Sequence, residues 1–83
     1  MIIEVLGSGC RKCENLYESA KAAVDETGVA AQLEKTTDMM RIVSYGVMST
    51  PALVIDGQVV SSGRIPSKDD IVRMIRARSG AAE

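Results

Sequence analysis

Eighty-three residues with 46% hydrophobic content and mixed charge describe a small globular chain with room for one modest core. A net charge of −1 argues against nucleic acid or an anionic membrane as the main partner, and only two aromatics, Tyr17 and Tyr45, leave the core to aliphatic side chains and methionine. No apolar run approaches the roughly 18–20 residues needed to span a membrane, and no charged N-terminal region precedes an apolar stretch and cleavage site, so a cytoplasmic protein is expected.

Residues 1–6 read as a strand, apolar on both faces except at Glu4, the pattern of a central strand with parallel neighbours. Gly7-Ser8-Gly9 then forms a loop that leads directly into Cys10-Arg11-Lys12-Cys13. From 14 to 27, Leu16, Tyr17, Ala20, Ala23 and Val24 make one helical stripe, with Gly28 as the stop. Residues 29–35 read as a second strand, parallel to the first because a helix crosses between them. Thr36, Thr37 and Asp38 offer caps for a second helix over 39–45, whose Met39, Met40, Ile42 and Val43 are expected to face inward. Ala52-Leu53-Val54-Ile55 is a buried strand, Asp56-Gly57 a two-residue hairpin turn, and 58–62 the returning antiparallel strand. Ser67 caps a last helix that buries Ile71, Val72, Met74 and Ile75 and ends at Gly80, with 81–83 expected to fray. The element order β-α-β-α-β-β-α implies an α/β fold with a mixed four-stranded sheet and helices on both faces.

The two cysteines are the only ones in the chain, and there is no histidine. In a reducing compartment such a pair is more often catalytic or metal-binding than a structural staple. Cys-x-x-Cys after a strand and at the start of a helix suits dithiol–disulfide chemistry. The spacing lets the sulfurs close a small ring, and the helix N-terminus favours thiolate, the species that attacks a disulfide. Cys10, at the junction of loop and helix, is expected to be the nucleophile, and Cys13, one turn in, the resolving thiol. Arg11 and Lys12 are expected to favour the Cys10 thiolate. No bound cofactor is required, because the Cys10/Cys13 pair carries the electrons. The alternative is a soft-metal carrier in which the same two thiolates bind Cu(I), or half of a zinc site shared by two chains. Met39, Met40 and Met48 are expected to be packing residues rather than copper ligands.

The order of elements, Gly7-Ser8-Gly9-Cys10-Arg11-Lys12-Cys13 after strand one and Ser49-Thr50-Pro51 before strand three together resemble the thioredoxin fold over roughly residues 1–78. The chain is similar in particular to the small thioredoxin- or glutaredoxin-like redox-active disulfide proteins. It differs from thioredoxins proper in lacking the Trp before the first Cys and the Gly-Pro between the cysteines, and from glutaredoxins in having Gly7 where they carry a lysine. The resemblance implies a three-layer sandwich forming a single domain over 1–83, and an oxidoreductase that reduces or exchanges disulfides on a protein or small molecule. It implies a cis peptide at Thr50-Pro51 facing the disulfide, with the Thr50 backbone free to pair with an extended substrate, while Gly63 is either a point of close backbone approach to a bound ligand or only a turn. It implies that Glu4 serves as a proton carrier for Cys13 with a carboxyl pKa raised by burial; the alternative reading of Glu4 is a rim carboxylate paired with a lysine such as Lys35. The expected partners are a disulfide substrate and a thioredoxin-reductase-like flavoprotein as electron donor, acting on a monomer.

Overall fold

A computed structural model describes residues 1–7, 9 and 11–79 of the chain. Cys10 therefore lies outside the described residues, as do Ser8, the expected helix stop Gly80 and the expected frayed end at 81–83. In chain order the elements are β1 (Ile2–Leu6), α1 (Arg11–Thr27), β2 (Gln32–Thr36), α2 (Met39–Ser44), β3 (Ala52–Ile55), β4 (Gln58–Ser62) and α3 (Lys68–Ser79). The sheet order is β2-β1-β3-β4, with β1 parallel to β2 and antiparallel to β3, and β3 antiparallel to β4. It is the mixed four-stranded α/β sandwich that the element order implies.

Strand alternation sorts the layers. Ile3 and Val5 of β1, with Leu53 and Ile55 of β3, pack against Leu16, Ala20 and Ala23 of α1 and Ile71, Val72 and Ile75 of α3. Leu6, Ala52 and Val54 face the other way and meet Ile42 of α2. Glu4 shares this second face, and it is buried there.

Helix α1 begins at Arg11, three residues before the apolar stripe suggests. Arg11 and Lys12 are exposed and add nothing to the stripe, whereas Cys13 is buried and extends it by one turn to Leu16, Ala20 and Ala23. Strand β2 starts later than its β-propensity suggests. Pairing from Ile2↔Gln32 to Leu6↔Thr36 makes it as long as its partner, and Val29 and Ala31 pack against the core on the way in.

The expected inward face of α2 is corrected by the structure. Only Ile42 is buried; Met39, Met40 and Val43 are exposed, Met40 by 80%. At roughly 100° per residue, Arg41 and Tyr45 flank Ile42 on one side and Met39 and Val43 on the other. The helix is rolled so that the Arg41–Tyr45 side meets the sheet at Glu4, which turns the Met39–Val43 side to solvent. Met48 is 98% exposed, so Met39, Met40 and Met48 are not core packing residues.

Local signals elsewhere set the geometry. Asp56 and Gly57 both have positive φ, 50° and 82°, as a tight hairpin requires. Asp56 also exchanges bonds with β1: its N–H donates to the Ile2 carbonyl at 2.7 Å, and its Oδ1 accepts from the Ile2 N–H at 2.8 Å. At the start of α3, Ser67 Oγ accepts from the Asp70 N–H at 3.1 Å and Asp70 Oδ2 accepts from the Ser67 N–H, a reciprocal cap. Among the described residues, no helix is long and apolar enough to cross a membrane.

Candidate active site

The C-terminal end of β1 delivers the chain to Gly7, whose N–H donates to the Thr36 carbonyl at 3.0 Å and so continues the pairing of β1 with β2. Cys13, in the first turn of α1, is buried directly over this glycine. A Cβ at position 7 would fall inside the van der Waals sphere of Cys13 Sγ and 3.2 Å from Cys13 Cβ, with Pro51 Cα at 4.0 Å. The space above Gly7 is thus taken by the Cys13 thiol, with Pro51 bordering it.

The Thr50–Pro51 peptide bond is cis. Pro51 is buried and Thr50 is exposed beside it. The Pro51 carbonyl accepts from the Gly63 N–H at 2.9 Å. Gly63 has φ +75°, and a Cβ there would come within 3.0 Å of Ser49 Cβ, so this position needs glycine both for its backbone and for the approach of the Ser49 segment. Gly63 is therefore tied to the Pro51 loop through its own N–H. Arg11 and Lys12 stand exposed at the start of α1, on the same end of the sheet as Gly7. The sequence-derived residues Cys13, Arg11, Lys12, Thr50, Pro51 and Gly63 are gathered at that end.

Two further ionic groups, Glu14 and Lys35, border the Cys13 thiol. A narrow cleft beside the thiol is lined by Gly7, Gly9, Glu14 and Lys35. Lys35 Nζ lies 3.0 Å from both Glu14 carboxylate oxygens and 4.6 Å from the centre of the Tyr17 ring. The Glu14 carboxylate raises the Lys35 pKa.

Glu4 is corrected in both of its expected roles. It is not paired with Lys35, whose partner is Glu14. Nor is its carboxyl pKa raised. Glu4 projects from the α2 face of β1, away from the face that carries α1. Its Oε1 accepts from Arg41 Nε at 2.9 Å and Thr36 Oγ1 at 2.9 Å, and its Oε2 accepts from Arg41 Nη2 at 3.2 Å and the Tyr45 hydroxyl at 2.5 Å. The bonds from the Arg41 guanidinium, helped by Tyr45 and Thr36, outweigh the desolvation of a buried carboxylate and lower the pKa from 4.5 to about 2. Such a group holds no proton at neutral pH and takes one up poorly. The Glu4 carboxylate in turn raises the phenol pKa of Tyr45. Arg41 and Tyr45 were missed in the sequence. The available signal was a lone acid within a buried strand, which demands a cation, but nothing in the sequence said which one.

Among the described residues, no three His, Cys, Asp or Glu side chains gather as a metal site. The element order also departs from that of the small metal carriers, which run strand, helix, two strands, helix, strand.

A buried cysteine in the first turn of the helix that follows the central strand β1, at the same end of the sheet as a cis-proline loop, is the arrangement of a thiol redox protein. The chain matches the family model described as a thioredoxin domain over residues 1–76. It is 36% identical over 75 residues to a thioredoxin of Methanothermobacter thermautotrophicus, covering 90% of this chain and 97% of the relative. It is also 36% identical over 77 residues to a thioredoxin of Methanocaldococcus jannaschii, covering 93% and 88% respectively. The chain belongs to the thioredoxin family, and its enzyme class is thiol–disulfide oxidoreductase.

Proposed function

We propose that Cys10 and Cys13 cycle between dithiol and disulfide to reduce disulfides on protein partners. The Cys10 thiolate attacks one sulfur of the substrate disulfide, forming a mixed disulfide and releasing the first substrate thiolate. The Cys13 sulfur then attacks Cys10, the mixed bond breaks, and the second substrate thiolate leaves and is protonated. Two electrons pass from the protein dithiol to the substrate disulfide, and the protein is left with a Cys10–Cys13 bond. The observation that carries this reading is the placement of Cys13: buried in the first turn of α1, its sulfur over Gly7, at the end of the sheet that carries the cis Thr50–Pro51 bond.

Arg11 and Lys12 stabilise the Cys10 thiolate and meet the partner, together with residues 47–50 and 62–64. The exposed Thr50 backbone pairs with an extended substrate segment, while Pro51 and Gly63 hold that loop in place. The cysteine pair needs no bound cofactor. A thioredoxin-reductase-like flavoprotein restores the dithiol, and the protein works as a cytoplasmic monomer.

Cys13→Ser tests the two-step course. The variant should complete the first attack and stop, so that mixed disulfides with protein substrates accumulate and are seen as a mass increase removed by dithiothreitol. Full turnover by Cys13→Ser would contradict a dithiol mechanism.

A further inference from the structure

We propose that Gly7 is the positioning residue for the resolving thiol: the lack of a side chain at position 7 lets the Cys13 sulfur lie over the backbone at the end of β1, and resolution of the mixed disulfide depends on the sulfur keeping that place. The proposal rests on the dithiol cycle above and adds to it a residue that neither the Cys-x-x-Cys motif nor the cis-proline loop includes.

The case comes from asking why each glycine is glycine. Gly9, Gly28, Gly46, Gly57 and Gly63 all have positive φ, so their backbone conformation alone accounts for them, and a methyl group added at any of the first four would meet nothing within 4 Å. Gly7 is the exception among the described glycines. Its φ lies outside the positive region and its N–H is engaged in ordinary pairing with the Thr36 carbonyl, so no left-handed backbone calls for glycine there. Space is what it lacks, and the atom that takes the space is Cys13 Sγ, with Cys13 Cβ next at 3.2 Å. Pro51 Cα, at 4.0 Å, closes another side of the same pocket. The sulfur cannot share this place with a methyl group. Because α1 is packed through Leu16, Ala20 and Ala23, the helix cannot retreat as a whole, and the thiol must turn away instead.

The consequence falls on one step. Attack by Cys10 on a substrate disulfide does not use the Cys13 sulfur. Resolution does: Cys13 S must approach Cys10 in line with the mixed bond, forming Cys10–Cys13 as the substrate thiolate departs with its electron pair. Misplacing a reacting atom by about 1 Å slows a step roughly a hundredfold.

The test is a single turnover of the fully reduced protein with 5,5′-dithiobis(2-nitrobenzoate), which releases one coloured thiolate on attack and a second on resolution. Gly7→Ala should leave the first phase intact and slow the second by roughly 10- to 100-fold. A merely structural glycine would not divide the two phases in this way, so an unchanged second phase overturns the proposal. A wild-type protein that releases no second thiolate would instead overturn the dithiol cycle itself. Thermal unfolding of the reduced proteins supplies the second arm. Gly7→Ala should lower the melting temperature, and most of that loss should vanish in the Cys13→Ala background, where the sulfur is gone. Equal losses in both backgrounds, or failure of both Gly7→Ala proteins to fold, would place the clash elsewhere and overturn the proposal.

Discussion

Cys10→Ser is expected to bring disulfide reduction down to the rate of the chemical reductant alone. A serine hydroxyl stays protonated at neutral pH, so the variant has no anion with which to open a substrate disulfide. Cys13 does not substitute for it, because Cys13 is buried over Gly7 whereas a protein disulfide must be met at the surface. The contrast with Cys13→Ser is the informative part. Both variants lose turnover, but only Cys13→Ser should accumulate a mixed disulfide. Insulin reduction followed by turbidity measures the first effect, and intact-protein mass the second. Substantial turnover by Cys10→Ser would mean that the residues carry the opposite roles, or that a single buried thiol suffices.

Arg41→Ala is expected to cost about 2–3 kcal/mol of stability at neutral pH. Removing one partner of a buried ion pair typically costs about 3–5 kcal/mol, because the remaining charge is left without compensation. The Arg41 side chain is 53% exposed, so water recovers part of that loss. Against a total of about 5–15 kcal/mol for a native domain, this is a large fraction. The same cluster sets an acid limb. Glu4 has a lower pKa folded than unfolded, so its contribution is fully present above 4.5 and is lost as pH falls towards 2. At roughly 1.4 kcal/mol per pKa unit, a drop from 4.5 to about 2 corresponds to about 3 kcal/mol. Arg41→Ala should therefore flatten the pH dependence of urea unfolding across this window. It should not alter resolution by Cys13, since the cluster lies on the opposite face of the sheet from α1. An acid limb of unchanged steepness in Arg41→Ala would show that Glu4 owes its low pKa to something other than the guanidinium.

What could be read in the sequence, and what could not, divides along the range of the interactions. The element order follows from local signals: the apolar stripe from Leu16 to Val24, the Asp56-Gly57 turn and the Ser67 cap each act within a few residues, and each is found in place. That Cys13 and a cis Thr50–Pro51 bond lie at the same end of the sheet was legible through the family resemblance, because both belong to short motifs that flank strands. The face of α2 was not legible. Met39, Met40 and Val43 have the composition of a core stripe, but a six-residue helix cannot bury every apolar side chain it carries. A charge on the neighbouring strand decides its roll. Glu4 was misread for the same reason: its pKa depends on Arg41 and Tyr45, 37 and 41 residues away, whose approach is set by tertiary packing. The part played by Gly7 was hidden for a different reason. In sequence it is one more loop glycine, and only the structure sets it apart from Gly9, by its backbone conformation and by the Cys13 sulfur lying over it.

The most direct test of the central claim is the reduction potential of the Cys10/Cys13 pair, measured on metal-free protein equilibrated in thiol–disulfide buffers with intact mass as the readout. The dithiol cycle predicts a reversible two-electron transition with loss of two hydrogens, at about −120 to −270 mV, the span of known oxidoreductases. If no intramolecular disulfide formed in any buffer, the cycle would be contradicted, and the two thiols would be better understood as ligands for a soft metal.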